Sequence, residues 1–348
     1  MKIAHRKILL RSIYFLLIAA GFFGFAYYYD YNFGFAKDLP PVKKVTIGYV
    51  DWPGYIGFFI ARDLGFFKEA GLEVDMRKYE SLSSLSHDYM AGKLNGRANL
   101  TLDAIHEAYE GLDHKITAII NYSLGADVIV SKKNIKNIKD LKGKKVAYDA
   151  GALEEFFLDW ALGEQGLKLK DVKIVSTPVE ERNSLITEGS VDAVVTYEPH
   201  ASKILESSDY GIIYSSADAP GLIVDAWTFK NEFIKENEET VRLFLDAYFR
   251  GVDFYKKNPK EGELILAKQF GIKVEAAAAG LLGVHVLDRA ENKTAFTFTS
   301  RIESIFGNLR TVNKFLITNH SDAHTGDEYG EDFVAIDTDY LIDRRFFR

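Results

Sequence analysis

Not one of the 348 residues is cysteine. That absence excludes disulfides, thiolate metal sites, a cysteine nucleophile and a lipid-modified N-terminal cysteine together. It leaves the redox character of the compartment unread. Proline is scarce too, at 7 residues, and mean hydropathy lies near zero. With 27 glycines and 47% apolar residues, the composition fits neither a disordered chain nor a polytopic membrane protein. Positive charge is lacking over most of the chain. Lys2, Arg6, Lys7 and Arg11 against Asp30 give residues 1–36 a formal +3, which leaves −10 on the rest of a chain whose total is −7. An acidic body has no electrostatic footprint for phosphate backbones, so nucleic acid is not an expected partner. Catalytic signatures are also missing: there is no Gly-rich phosphate loop, nucleophile elbow or paired acid/base motif. His87, His106, His114, His200 and His285 form no ligand pair, and His320 and His324, four apart, fall in a stretch that reads as a loop. No catalytic residue, metal or cofactor is expected.

What is present begins with a basic head and an uncharged run. Ile13 to Tyr29 reads IYFLLIAAGFFGFAYYY, the layout of a signal peptide or a signal anchor, and both mean export. Seventeen residues is the short limit of a membrane-spanning helix, and Tyr27 to Tyr29 suit an interfacial belt. Gly24-Phe25-Ala26 and Gly34-Phe35-Ala36 offer small residues for cleavage, although Phe and Tyr crowd both sites. As an anchor, residues 13–29 would leave Lys2 to Arg11 in the cytoplasm and the body outside, in the periplasm or cell envelope.

Beyond a linker over residues 37–43 containing Pro40-Pro41, short apolar runs alternate with segments of helical period. That order favours an α/β fold with mainly parallel sheets. Strands are expected over Val45–Val50, Leu72–Tyr79, Ala98–Thr101, Ile116–Asn121, Val128–Ser131, Lys145–Asp149, Val172–Ser176 and Val191–Thr196. Ile56, Phe59, Ile60, Leu64 and Phe67 mark one face of a helix. Long helices are expected over Thr240–Lys257 and Arg301–Thr318. A faint repeat runs through this region. Gly71-Leu72 opens a unit ending in Thr101-Leu102-Asp103, and Gly166-Leu167 opens another ending in Thr196-Tyr197-Glu198. Duplicated βα units imply two similar lobes, and ligands collect at the carboxyl ends of strands in open α/β sheets. Thr101, Asp103, Thr196 and Glu198 are placed there; short Gly-stopped helices would also resemble one another by chance.

The motifs Thr46-Ile47-Gly48-Tyr49-Val50-Asp51-Trp52-Pro53-Gly54-Tyr55, Ala61-Arg62-Asp63-Leu64-Gly65-Phe66-Phe67 and Gly71-Leu72-Glu73-Val74 follow in order. Ile138-Lys139-Asp140-Leu141-Lys142-Gly143-Lys144-Lys145-Val146-Ala147, Gly189-Ser190-Val191-Asp192-Ala193, Glu198-Pro199 and Leu341-Ile342-Asp343 continue the series. Across Lys44 to Arg348 this order resembles the periplasmic substrate-binding proteins of ABC importers for nitrate, sulfonates, taurine and thiamine pyrimidine precursors. The resemblance implies a type II periplasmic-binding-protein fold, with two α/β lobes joined by crossing segments near Ala126–Ser131 and Asp225–Lys230. Lobe one would be 44–125 plus 225–348 and lobe two 126–224. It implies capture of a small molecule by hinge closure, delivery to an ABC permease and ATPase, and a monomeric body. A tethered sensor is the alternative role. An enzyme of pyrimidine-precursor synthesis is a further one, disfavoured because those enzymes carry a Cys-rich iron motif.

Trp52 and Tyr55 follow the first strand and are expected at the cleft, where an aromatic ring can stack on a ligand. Tyr197 and Trp227 share that expectation, and Trp160, mid-helix among apolar neighbours, is read as core. Asp149 ends a strand just before Gly151, and a helix begins there with Glu154 and Glu155 in its first turn. In related binders such a helix start can hold an anion, but these two carboxylates can satisfy its positive end themselves. With Asp51, Asp103, Glu198 and Asp225 they favour a cationic or amine-bearing heterocycle over a sulfonate or nitrate; the competing reading is ordinary surface acids. Arg62 is read as an exposed helix residue, and Arg182 either as a pocket-facing fork for an anion or as solvated.

Overall fold

A computed structural model describes residues 42–151, 153–198, 200–324 and 335–347. The expected signal or anchor segment and most of the linker lie outside the described residues, as do the side chains of His320 and His324. Among the described residues no helix is long and apolar enough to cross a membrane. The chain forms β1 (Lys43–Val50), β2 (Leu72–Tyr79), β3 (Gly96–Leu100), β4 (His114–Ser123), β5 (Asp127–Lys132), β6 (Lys145–Tyr148), β7 (Lys173–Ser176), β8 (Ala193–Tyr197), β9 (Tyr210–Ser215), β10 (Val224–Lys230) and β11 (Val284–Val286). All eight expected strands are present with ends moved by two residues or fewer. Central strands are buried on both faces, as in β3, where every residue is buried, whereas the edge strands β2 and β7 are mostly exposed or half-buried.

Two sheets result, ordered β2-β1-β3-β10-β4-β11 and β7-β6-β8-β5-β9. Apart from β11 they repeat one plan. A first strand lies between two parallel neighbours, the third strand takes an antiparallel neighbour on its far side, and one more antiparallel strand follows. The expectation of mainly parallel sheets is therefore corrected to mixed sheets. The cause is connectivity: β5 and β10 each arrive from the opposite sheet and insert antiparallel beside β8 and β3. The crossings move with them. Residues expected to cross, Ala126–Ser131 and Asp225–Lys230, lie almost wholly inside β5 and β10. The chain passes between sheets at 124–126 and 216–223.

These passages are held by specific bonds. Ser123 and Ser216 share a hydroxyl–hydroxyl bond of 2.8 Å, and the Gly125 N–H donates to Ser216 Oγ at 2.7 Å. The Gly283 carbonyl accepts the N–H groups of Leu124 (2.8 Å) and Ala126 (3.2 Å). A Cβ at Gly283 would land on the Ala126 backbone, so the third segment approaches this closely only because the residue is glycine.

Sheet one is covered by the helices Ile56–Asp63 and Asn231–Lys257, the latter interrupted at Asn237 (φ −134°). Ile56 to Ala61 are all buried. Trp227 on β10 sits under them, its ring centroid 5.0 Å from both Phe58 and Phe244 and 5.4 Å from Tyr248. The last long helix runs Ile305–His324 rather than from Arg301, because Ser304 caps it: its Oγ accepts the Phe306 N–H at 3.3 Å. The two covering helices cross at Gly57 and Gly251, where a Cβ at Gly251 would overlap the Gly57 carbonyl. Gly251→Ala is expected to lower unfolding stability by about 1–3 kcal/mol through overpacking, read as a lowered urea midpoint with the m-value unchanged. An unchanged midpoint would show that the crossing has slack.

Candidate ligand-binding site

The register of the two sheets puts two aspartates in equivalent places. Gly96 of β3 and Ala193 of β8 face the first strands of their sheets at matching points. Four residues further on, Leu100 faces Asp225 of β10 and Tyr197 faces Asp127 of β5. Asp225 and Asp127 thus occupy one position of the duplicated plan, at the starts of the two crossing strands. Both are buried.

Asp225 accepts the Tyr55 hydroxyl at 2.9 Å and lies across the ladder from Asn121 of β4. Burial pushes its carboxyl up to about 7; Tyr55 and Asn121 favour the charged form, while Asp127 and Asp103 oppose it. Asp127 is likewise pushed up to about 7, first by burial, with the Ser123 hydroxyl favouring charge and Glu154 opposing it. Burial also raises Asp103, partly offset by Arg97. Tyr55 is raised by burial and then by Asp225. The acids therefore form one electrostatic group that spans both crossings.

Donors stand beside it without partners. Asn121 is fully buried, and neither amide atom is aligned to make a hydrogen bond, although the side chain is near enough to Asp225 to favour its charge. The Trp52 Nε1 is covered and unpaired. A Cβ at Gly54 would collide with both that nitrogen and Asn121 Nδ2, so the two N–H groups converge over a glycine.

The positive groups are already engaged. Arg182, weighed as a fork for an anion, is buried and donates to the Val195 carbonyl (2.8 Å), the Thr177 carbonyl (3.1 and 3.2 Å) and Glu154 (3.2 Å). Glu155, in the first turn of the helix Leu153–Glu164, accepts the Gly151 N–H at 3.1 Å and puts its own negative charge at that helix's positive end. Arg97 is spent on Glu107 at 2.6 Å, and Arg62 lies at the surface with Asp63 and Gln269.

Several expected contacts are placed elsewhere. Asp51 pairs with Lys78 at 2.6 Å. Thr101 donates to Asn308 Oδ1 at 2.7 Å, and Asn308 in turn donates to the carbonyls of Gly221 and Leu222; this chain braces a crossing. Trp227 is fully buried core, because β10 is roofed by helices two residues past Asp225. Glu198 accepts the Ser202 N–H at the start of the helix His200–Leu205. Asp149 is exposed, Tyr197 is half-buried, and Thr196 is buried with an unpaired hydroxyl. Trp160 is partly buried against the core. Asp127 and Asn121 were absent from the expected site. The available signal was an Asp opening an apolar run in both Asp127-Val128-Ile129-Val130 and Asp225-Ala226-Trp227.

The family described as NMT1/THI5 like matches residues 52–262. The chain belongs to this family. The matched segment holds Trp52, Tyr55, Asp103, Asn121, Asp127 and Asp225. This family member is 31% identical over 173 residues to the Haemophilus influenzae "Putative thiamine biosynthesis protein", covering 48% of this chain and 55% of that protein. It is 25% identical over 206 residues to the taurine-binding periplasmic protein of Escherichia coli, covering 57% of this chain and 62% of that one. The matches thus span somewhat more than half the length of these relatives. The crystal structure of the Escherichia coli periplasmic aliphatic sulphonate binding protein SsuA aligns with TM-score 0.70 at 17% identity, over 88% of this chain and 99% of that one. The fold is that of periplasmic binding proteins.

A raised carboxyl pKa costs stability at high pH. Asp225 holds its proton to about pH 7 when folded and ionises near pH 4 when unfolded. The folded chain therefore binds more protons between those values, and its stability falls as pH rises through them. Asp225→Asn is expected to stabilise the empty protein at pH 8 by on the order of 1–3 kcal/mol, with the difference shrinking by pH 5. Calorimetry at both pH values checks this; equal melting temperatures at pH 8 would contradict it.

Proposed function

We propose that this protein is a non-enzymatic solute-binding protein that captures a small amine-bearing or heterocyclic organic molecule between two lobes, for import by an ABC permease and ATPase. A thiamine pyrimidine precursor is of this class. The lobes are taken as 44–125 plus 225–348 and 126–224, with the chain exported to the periplasm or cell envelope. The observation that carries the reading is the convergence of buried carboxylates and unpaired N–H groups where the crossing strands begin. Carboxylates suit the ligand's charged or N–H-bearing nitrogens, and the Trp52 and Asn121 N–H groups suit a ring-nitrogen or carbonyl acceptor. The name of the taurine-binding relative and the shared fold support a binding role.

A sulfonate or nitrate ligand fits less well. Arg182 has its donors on carbonyls and Glu154, and the helix start after Gly151 already carries the Glu154 and Glu155 carboxylates in its first turn. An enzyme of pyrimidine-precursor synthesis is disfavoured by the absence of cysteine.

Native mass spectrometry of gently purified protein tests the reading. A co-purifying cationic or heterocyclic small molecule, released unchanged on unfolding, is the expected result. A bound nitrate, or a sulfonate with neither an amine nor a heterocycle, would overturn the ligand class, and conversion of the bound molecule on incubation would overturn the non-enzymatic role.

A further inference from the structure

The bonds at the two passages between the sheets are of two kinds. Along the first passage the N–H groups alternate between two acceptors. Leu124 and Ala126 donate to the Gly283 carbonyl at 2.8 and 3.2 Å. Gly125 and Asp127 donate to the Ser216 hydroxyl at 2.7 and 3.4 Å, and Asp127 also reaches Ser123 Oγ at 3.3 Å. Ser216 is fully buried, and its hydroxyl lies 2.8 Å from that of Ser123. With N–H groups on both lone pairs of Ser216, its own proton is left to point at Ser123. One side chain of the second passage thus holds Ser123, Gly125 and Asp127 of the first.

The two acceptors belong to different sheets. Gly283 leads directly into β11, which is laddered to β4 with Val284 opposite Ser123, so its carbonyl travels with sheet one. Ser216 follows β9 of sheet two in a single turn, Ser216–Asp218, whose start is fixed by capping. Ser215 Oγ accepts the Ala217 N–H at 3.0 Å, and Asp218 accepts the Ser215 N–H at 2.9 Å. Past that turn the chain is soon bound to sheet one. The Gly221 and Leu222 carbonyls each accept the Asn308 amide at 2.9 Å, and the Ile223 carbonyl accepts the Ser123 N–H. A Cβ at Gly221 would overlap the Glu303 backbone. Ala219 and Pro220 are what lies between the two sets of anchors.

Resting on the two-lobe reading, we propose that the Ser216 hydroxyl is a hinge pin: as the sheets turn apart it releases the Gly125 and Asp127 N–H groups, while the Gly283 carbonyl keeps Leu124 and Ala126. The turn is taken up at Gly125, whose φ of +119° suits glycine, and at Ala219-Pro220. Farther out, Phe315 of the helix Ile305–His324 packs on Phe156 of the helix Leu153–Glu164 with ring centroids 5.1 Å apart, a contact that can slide as the sheets turn. Because the pin is a side chain, it detaches without breaking a strand ladder. The bonds to one hydroxyl then set how readily the empty protein opens.

Amide exchange followed residue by residue by NMR in the unaltered, ligand-free protein reads the pin directly. With intrinsic rates divided out, Gly125 and Asp127 are expected to exchange about tenfold or more faster than Leu124 and Ala126. Ser216→Ala removes the acceptor and should accelerate Gly125 and Asp127 by about tenfold again, leaving Leu124 and Ala126 unchanged. Opening is read from spin labels on the exposed positions Lys68→Cys and Lys170→Cys, which are unambiguous in a chain without cysteine. Ser216→Ala should broaden the distribution of label separations. Thr117→Val removes a different buried hydroxyl, one that bonds the Trp227 carbonyl inside sheet one, and should leave the distribution unchanged. Equal protection of the four amides, an unchanged distribution in Ser216→Ala, or the same broadening in Thr117→Val would overturn the proposal. Should the melting curve show Ser216→Ala unfolded, the exchange pattern of the unaltered chain decides alone. None of these measurements uses a ligand, so the native mass spectrum decides separately whether the protein binds a solute.

Discussion

Each sheet is completed by a strand that belongs, in sequence, to the other. β10 enters sheet one between β3 and β4, and β5 enters sheet two between β8 and β9. Neither sheet can close its hydrogen-bond ladder without the chain having crossed, so formation of one sheet constrains the other. The same constraint fixes where a ligand can be held. The first residues of the crossing strands lie at the carboxyl ends of β3 and β8, where an open α/β sheet leaves backbone and side chains free to meet a small molecule. Bonds of Ser123 and Gly125 to Ser216, and of Leu124 and Ala126 to the Gly283 carbonyl, gather the crossings into a single bonded group. Any opening between sheets has to be absorbed over 124–126 and 216–223, and Asn308 already fastens the end of the latter to the helix Thr101–Tyr109.

Much of this architecture is legible in the sequence. The central apolar runs, bounded by glycines and polar turns, become strands because burial on both faces needs uninterrupted apolar residues, while edge strand β2 carries Glu73, Asp75 and Arg77 on exposed positions. Direction is not written in such runs: Val128-Ile129-Val130 would look the same parallel or antiparallel, and only the crossing makes it antiparallel. The repeat is real in topology but misaligned in motif. By register Thr101 matches Glu198 and Asn99 matches Thr196, so the Thr-x-acid pattern that first suggested duplication is not its structural equivalent.

The site was legible in kind and only partly in detail. Tyr55 and Asp225 were readable because an acid and an aromatic flank strand ends, and they do meet. Asp51 and Trp227 have the same residue types in similar surroundings, yet a neighbouring Lys78 claims one and two covering helices claim the other. Residue type and strand position do not encode which side chain a distant element will cover. Asp127 was overlooked for the converse reason: it opens a run that reads as strand core, and its importance appears only when its register is compared with that of Asp225.

That comparison also bears on why two carboxylates are buried here at all. A fold optimised for stability alone would place asparagine or a small apolar residue at both positions, since an acid held protonated to about pH 7 weakens the folded state above that pH. The same conflict is present at Asp103 and at Glu107, the latter pushed up to about 7 by burial. The buried guanidiniums are paired: Arg97 with Glu107, and Arg182 with Glu154 and three hydrogen bonds to carbonyls. Local rules of burial are broken where a protein needs groups whose partner comes from outside. A scaffold that pairs Arg97 and Arg182 with carboxylates from within, while no ion pair reaches Asp127 or Asp225 among the described residues, leaves negative charge at the crossing starts for a ligand to meet.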